Sequence, residues 1–345
     1  MTHPVHTPVL AADGGLIRFA LADLLIGAVP SMRIELTDAG AAEPWLTRLV
    51  GTEASLTALR GGHVDVPARP ELARLAFLLW ARRWWPASPT LGIPALDPAL
   101  LDFEAAIATA AVEDVAEGLL DGFEASAAEL FDQATGLFAA ARPVAEETRR
   151  LCTQLSAWFD GQDDLVHAEA AAELAARLES VTPDQRAYAL AAGTGPTGSG
   201  EGVLAEGRAS VDWARVPPGV LDAAEDTVTW RIVATRTAAR LEVEVAGALN
   251  DAALTAAATH DGEPFAEVSL QLGSEGFAGA VDLDEAGARL AAMPSASLGL
   301  VVGVAGPDVE GTTPEDRAEV VSLVRAREAR TLAERAAGRA VDEEF

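Results

Sequence analysis

The chain has 345 residues, and 25 basic side chains against 53 acidic ones give it a formal net charge of −28. Every basic residue is arginine, which excludes chemistry built on a lysine amine: a Walker A lysine, a kinase strand lysine, a Schiff-base or pyridoxal-phosphate lysine and a Ser-x-x-Lys acylation site. The charge disfavours nucleic acid and anionic membranes as partners, and a single cysteine, Cys152, leaves no intramolecular disulfide, multi-cysteine metal site or CxxC centre.

Half the residues are hydrophobic, enough for a substantial core, and the length suits two domains. Met1 to Leu10 lacks the pattern of a signal peptide, and no apolar run reaches the roughly 18 residues of a membrane span, so a cytoplasmic location is expected.

Residues 12 to about 192 read as helical from apolar spacings of three and four, beginning with Leu16, Phe19, Ala20 and Leu24. A second segment starts near Glu43-Pro44. A third runs from Pro70 to Trp85 and stops at Pro86, where a loop to Pro98 follows. The longest pattern extends from Asp97 or Pro98 to Ala141, with Gly118, Gly122 and Gly136 as points where it could break. Pro143 opens another segment, Asp163 or Asp164 can cap the next, and Thr182-Pro183-Asp184 starts a short last one.

The run Gly193-Thr194-Gly195-Pro196-Thr197-Gly198-Ser199-Gly200 has the composition of a flexible joint. Beyond it the period becomes two: Val228, Trp230 and Ile232, then Leu241, Val243 and Val245, then Val268, Leu270 and Leu272 alternate with polar residues. Ala209–Val216, Ala252–His260, Gly276–Leu283 and Leu298–Val304 are further strand candidates, with His260-Asp261-Gly262-Glu263 as a turn. Thr312-Thr313-Pro314-Glu315-Asp316 starts a helix expected to reach Gly338. The predicted class is α+β and multidomain. An N-terminal all-α helical bundle (1–192) and a linker (193–207) precede an antiparallel β-sandwich (208–309) and a charged C-terminal helix and tail (310–345). Net charge over residues 1–190, 191–310 and 311–345 is −14, −12 and −2, so arginine is relatively concentrated in the tail.

Several motifs fail on context. Gly193, Gly195 and Gly198 spell GxGxxG, but a helix precedes them and strands follow, the reverse of a dinucleotide fold. His167-Ala168-Glu169 matches half of a zinc deaminase motif whose thiolates are missing. The run from Asp282 to Gly287 resembles a calcium loop but has Ala286 at its fifth position and Met293 at its twelfth, so a strand-end turn capping a short helix is favoured. Cys152 follows Arg149 and Arg150, yet a lone helical cysteine is ordinarily a small buried hydrophobe. No serine sits in a GxSxG elbow.

Four groups remain. Asp160, Asp163, Asp164 and His167 offer oxygen and imidazole ligands for a divalent cation, a weak candidate beside the capping role of Asp163 or Asp164. Trp80, Arg82, Arg83, Trp84 and Trp85 are the densest aromatic and basic group, with Arg83 placed to meet Trp80; burial in the bundle competes with an interface role. Glu113, Glu117 and Asp121, four apart, put like charges on one helix face, a solvated face or a strip for an arginine-rich partner. Arg325, Arg327 and Arg330 lie in the C-terminal helix, which either docks on its own bundle or reaches a partner groove.

The stretch from Arg208-Ala209-Ser210-Val211-Asp212-Trp213 through Val228-Thr229-Trp230 resembles segments of uncharacterised actinobacterial proteins, a resemblance that carries no catalytic residue. The function expected is a non-enzymatic interaction or regulatory subunit without cofactor, bound to a protein partner that is basic or grooved. The alternatives are a metal-assisted hydrolase using the Asp/His group and a structural component of a larger assembly.

Overall fold

The structure, a computed structural model, describes residues 3–27, 29–121, 126–138, 145–179, 202–234, 238–274, 276–293, 298–304 and 310–343. The chain divides into two compact units, one made of residues 1–85, 96–186 and 320–345 and the other of 86–95 and 187–319.

The first unit is not all-helical. It contains an antiparallel sheet of β1 (Val9–Ala12), β2 (Gly15–Phe19), β3 (Ser31–Leu36) and β4 (His63–Pro67), paired in chain order. Leu16, Phe19 and Ala20 have helical spacing, but the period the chain adopts is two. Ile17 and Phe19 on β2 and Met32 and Ile34 on β3 are buried, while Arg18 and Arg33 turn outward. Those two arginines stand directly opposite each other, and Glu35 bonds both, at 2.8 Å and 3.2 Å. Hydrogen bonding from Arg18 holds the Glu35 carboxyl below its ordinary range. The β1–β2 turn needs Gly14: its φ is 70°, and a Cβ there would lie 2.3 Å from the Asp38 carbonyl oxygen.

Helices α1 (Leu21–Ile26), α2 (Ala39–Val50) and α3 (Thr52–Gly61) are interleaved with these strands. They are followed by α4 (Pro70–Trp84), α5 (Pro98–Val115), α6 (Ala127–Leu137), α7 (Ala145–Gly161) and α8 (Leu165–Glu179). The α2 helix starts at Ala39, ahead of the expected Glu43-Pro44, because the Asp38 carboxylate caps it by accepting from the Gly40 and Ala41 amides. Helix α5 is central. Asp97 caps it, Pro98 occupies its first turn, and it packs against α4, α6 and α7 with apolar residues around most of its circumference. It ends at Val115, not near 141, and after Gly118 (φ 85°) a Ser126–Glu129 capping box starts α6. Phe103, Phe131 and Phe159 join α5, α6 and α7 edge to face, with centroids 5.9 Å apart at each step.

In the second unit β5 (Val203–Ala209), β6 (Val228–Ala234), β7 (Ala239–Ala246), β8 (Leu254–His260), β9 (Glu263–Leu272), β10 (Gly276–Leu283) and β11 (Leu298–Val302) form one antiparallel sheet. Its order is β11-β8-β9-β10-β7-β6-β5, and edge strands β5 and β11 approach each other, so the sheet nearly closes. The strands are antiparallel as expected, but a single curled sheet replaces the two-sheet sandwich. Leu241, Val243, Val245, Val268 and Leu270 face its interior. The β8–β9 hairpin turns through Asp261 and Gly262, both at positive φ. Helix α9 (Glu285–Ala291) is capped by Asp284, which accepts from the Gly287 amide at 2.7 Å, so the calcium-like run is a strand-end turn.

Carboxylates fasten the irregular parts of this unit. Asp222 accepts from Thr90 Oγ1 at 2.7 Å, holding the 86–95 loop, and Arg317 grips Glu225 through two bonds of 2.7 Å and 2.9 Å. Ser210 to Val216, expected as strand, is a turn segment in which Asp212 accepts from the Ala214 and Thr312 amides. Residues 203–207, expected as linker, belong to β5; the preceding glycine-rich run at 193–201 and the segment begun by Thr182 lie outside the described residues.

The expected C-terminal helix is two, α10 (Pro314–Ala326) and α11 (Leu332–Glu343). Among the described residues no helix is long and apolar enough to cross a membrane.

One buried group in α5 yields a stability test. Asp102 has no exposure; Arg82 Nε lies 2.8 Å from its Oδ1, yet neither oxygen has a well-directed hydrogen bond. Burial pushes its carboxyl up to about 6, with Arg82 opposing. The folded state therefore holds the proton more tightly than the unfolded chain, so stability rises as pH falls from 7 toward 4. The limit of this gain is about 3 kcal/mol. Carboxyls held below their ordinary values lose stability only at lower pH, leaving 7 to 5 as the clean window. Denaturant melts across that window should show the rise in wild type and a clearly shallower one, with a higher midpoint at pH 7, in Asp102→Asn, the remainder coming from the raised Glu113 carboxyl.

Candidate functional site

The tail arginines separate by role. The Arg327 side chain is buried: its guanidinium pairs with Glu334, donates to the Leu24 and Leu25 carbonyls at the end of α1, and lies 3.9 Å from the Phe77 ring centroid. Glu334 closes a capping box with Thr331, accepting from its amide at 2.8 Å while Thr331 Oγ1 accepts from the Glu334 amide at 3.1 Å. Glu104 of α5, fully buried, accepts from the Leu332 and Ala333 amides at 3.0 Å and 2.9 Å and from Arg74 at 3.0 Å. The start of α11 is thus docked on its own unit. Arg325 and Arg330 are exposed.

The aromatic and basic group on α4 does not form one surface. Trp80 is buried and donates its indole N–H to the Val5 carbonyl at 2.8 Å. Arg82 turns to Asp102 and Gln133. Arg83 stacks over Trp84 at 4.3 Å instead of Trp80, Trp84 meets His3 edge on, and Trp85 meets Phe77.

Asp164 caps α8 by accepting from the His167 amide at 3.3 Å, and its other oxygen lies 2.6 Å from His167 Nδ1. Burial works to raise this carboxyl, but the hydrogen bonds from His167 outweigh it and leave it lowered. Asp163 (φ 60°) forms the turn, and Asp160 lies at the α7–α8 groove. Among the described residues no group of three or more His, Cys, Asp or Glu side chains is placed to hold a metal ion. Cys152 is buried, and burial pushes its thiol up to about 12, which disfavours a thiolate nucleophile.

The acids Glu113, Glu117 and Asp121 do converge, though not along a helix. Because α5 stops at Val115, Glu117 and Asp121 sit on the following turn and, with Glu113, Asp114 and Gln162, line a cavity of about 470 Å³. Burial raises the Glu113 carboxyl, and the Asp114 and Asp121 charges raise it further. Compensation is slight: Asp114 accepts from the Trp158 indole at 3.2 Å, and Arg48 reaches only Glu117, whose side chain is exposed. The neighbouring Glu124 lies outside the described residues. The result is a concave, uniformly acidic recess whose deepest carboxyl is energetically strained when ionised.

Sequence reasoning passed over Trp158 and Gln162, which carried no motif, and Glu104, whose two amide partners on α11 are more than 200 residues away. The Thr331-x-x-Glu334 capping box was the legible signal for the break before α11. No family model matches the chain, and no curated protein or solved structure is detectably similar to it.

Removing the Glu104 carboxylate strands two helix amides and an arginine. Glu104→Ala should cost about 3 kcal/mol in denaturant unfolding. Native-state hydrogen exchange should show the Leu332 and Ala333 amides losing protection first. An unchanged midpoint with unchanged protection would contradict this account of the tail.

Proposed function

We propose that the protein is a non-enzymatic interaction subunit that receives an arginine-rich segment of a partner in the recess of Glu113, Asp114, Glu117 and Asp121. The observation that carries this reading is the convergence of these four acids on one recess, where burial and like charge raise the Glu113 carboxyl and a bound cation would relieve both. A guanidinium suits the recess better than a point charge because its planar donors reach several carboxylates at once. The high net negative charge adds long-range steering toward a basic partner, which salt weakens.

The test is fluorescence anisotropy with a labelled nona-arginine peptide at physiological salt. Glu113→Gln with Asp121→Asn should weaken binding at least tenfold. Glu242→Gln with Glu244→Gln, which removes the same charge from the outer face of β7, should change it less than twofold. Equal effects of the two pairs would reduce the interaction to bulk charge and defeat the proposal. Binding favours ionised Glu113, so affinity should fall as pH drops toward its raised pKa, and this fall should flatten in Glu113→Gln.

A further inference from the structure

A second concave surface, of opposite sign, lies elsewhere on the first unit. It is a groove of about 430 Å³ between the start of α4, the segment after α1 and the turn joining α10 to α11. Its lining is largely apolar: Leu24, Ala73 and Phe77 lie buried beneath it, and Val29, Pro30 and Pro70 border it. Its walls carry Arg74, Arg327 and Arg330. Asp23 is the one acid among the described lining residues, and its carboxylate already accepts from Ser31 Oγ at 3.0 Å.

The three arginines differ in what they leave open. Arg327 is immobilised by Glu334, two α1 carbonyls and the Phe77 ring, so it is a fixed wall. Arg74 is about half exposed, and its partner Glu104 is fully buried and also holds two α11 amides. Arg330 is exposed and has no ion pair or side-chain hydrogen bond to a described residue. A net charge of −28 makes a groove with this rim a local reversal of sign.

The apolar surface continues past the groove. Val29 is 74% exposed and Ile26, next to the lining residue Gly27, is 51% exposed. An apolar strip of this length, flanked by two accessible guanidiniums, matches an extended segment better than a compact small molecule. The volume holds one large side chain with adjoining backbone.

We infer that this groove binds a short acidic peptide segment of a protein partner, an aromatic or large aliphatic side chain seated against the exposed Val29 and Pro70 and flanking carboxylates paired with Arg330 and Arg74. The walls are already held by the Arg327 network, so binding orders little beyond Arg330, Arg74 and the peptide itself. This site goes beyond the acidic recess and shares no residue with it.

The probe is a fluorescein-labelled peptide of sequence Glu-Glu-Phe-Leu-Glu-Glu, titrated with the full chain in about 150 mM salt, where screening over roughly 8 Å lets the local arginines outweigh the distant acids. Two control peptides replace every Glu by Gln, or Phe and Leu by Ala. Saturable binding with a Kd on the order of 100 µM is expected for the acidic apolar peptide. Both controls should bind at least tenfold more weakly. Arg330→Glu and Val29→Asp, each at an exposed position and so compatible with folding, should each reduce affinity at least tenfold. Glu113→Gln should leave it unchanged. Absence of saturation at 1 mM, equal binding of either control peptide, or indifference to both groove variants would overturn the inference.

Discussion

A carboxylate without access to water, Glu104, determines where the last helix of the chain goes. An isolated buried carboxylate is costly by several kcal/mol, and α5 tolerates this one because two amides at the start of α11 and the Arg74 guanidinium occupy its oxygens. The amides belong to a helix N-terminus, whose partial positive charge favours an anion. The dependence is mutual. Arg327 is buried only because Glu334 neutralises it, and Glu334 is held by the Thr331 turn that presents the same amides to Glu104. Helices α1, α4, α5 and α11 therefore share one network, and the groove beside it inherits rigid walls.

The second unit applies the same chemistry. Asp222, Asp212 and Glu225 each hold an irregular segment by accepting from amides, hydroxyls or a guanidinium, in places where neither sheet nor helix supplies main-chain partners. Much of the acidity is thus structural. Asp102 departs from the pattern, since Arg82 balances its charge without giving either oxygen a directed hydrogen bond. Burial is what raises its carboxyl, and the Arg82 charge opposes that rise without cancelling it.

The sequence displayed the later strands well. In β6, β7 and β9 the apolar residues alternate cleanly with charged ones, and Asp261-Gly262 marks the hairpin. It hid the early ones because Leu16 and Phe19 of β2, with Ala20 just after it, also satisfy helical spacing, and five residues are too few for the two periods to diverge. The Asp13-Gly14 turn and the Ile17, Phe19, Met32 and Ile34 positions contained the correct answer but were weaker than the alanine-rich background. Curling of the second sheet depends on long-range strand order, which alternation does not encode. For the recess, three of the four acids were visible as a spaced set. Their convergence comes from the chain reversing at Gly118, so helical spacing pointed to the right residues for a wrong geometric reason.

The all-arginine composition has a structural consequence. Arg327 reaches two carboxylate oxygens, two carbonyls and an aromatic face together, a set that a lysine ammonium, with three donors and no planar face, does not satisfy. Arg74, Arg82 and Arg317 are likewise committed to Glu104, Asp102 and Glu225. Each of these pairs commits an arginine to an acid of the same unit. At the recess of Glu113, Asp114, Glu117 and Asp121, Arg48 is the one arginine in an ion pair with any of the four among the described residues, and it meets the exposed Glu117. The other carboxylates are left with an indole N–H at Asp114 and their mutual repulsion, and burial together with that repulsion keeps the Glu113 carboxyl raised.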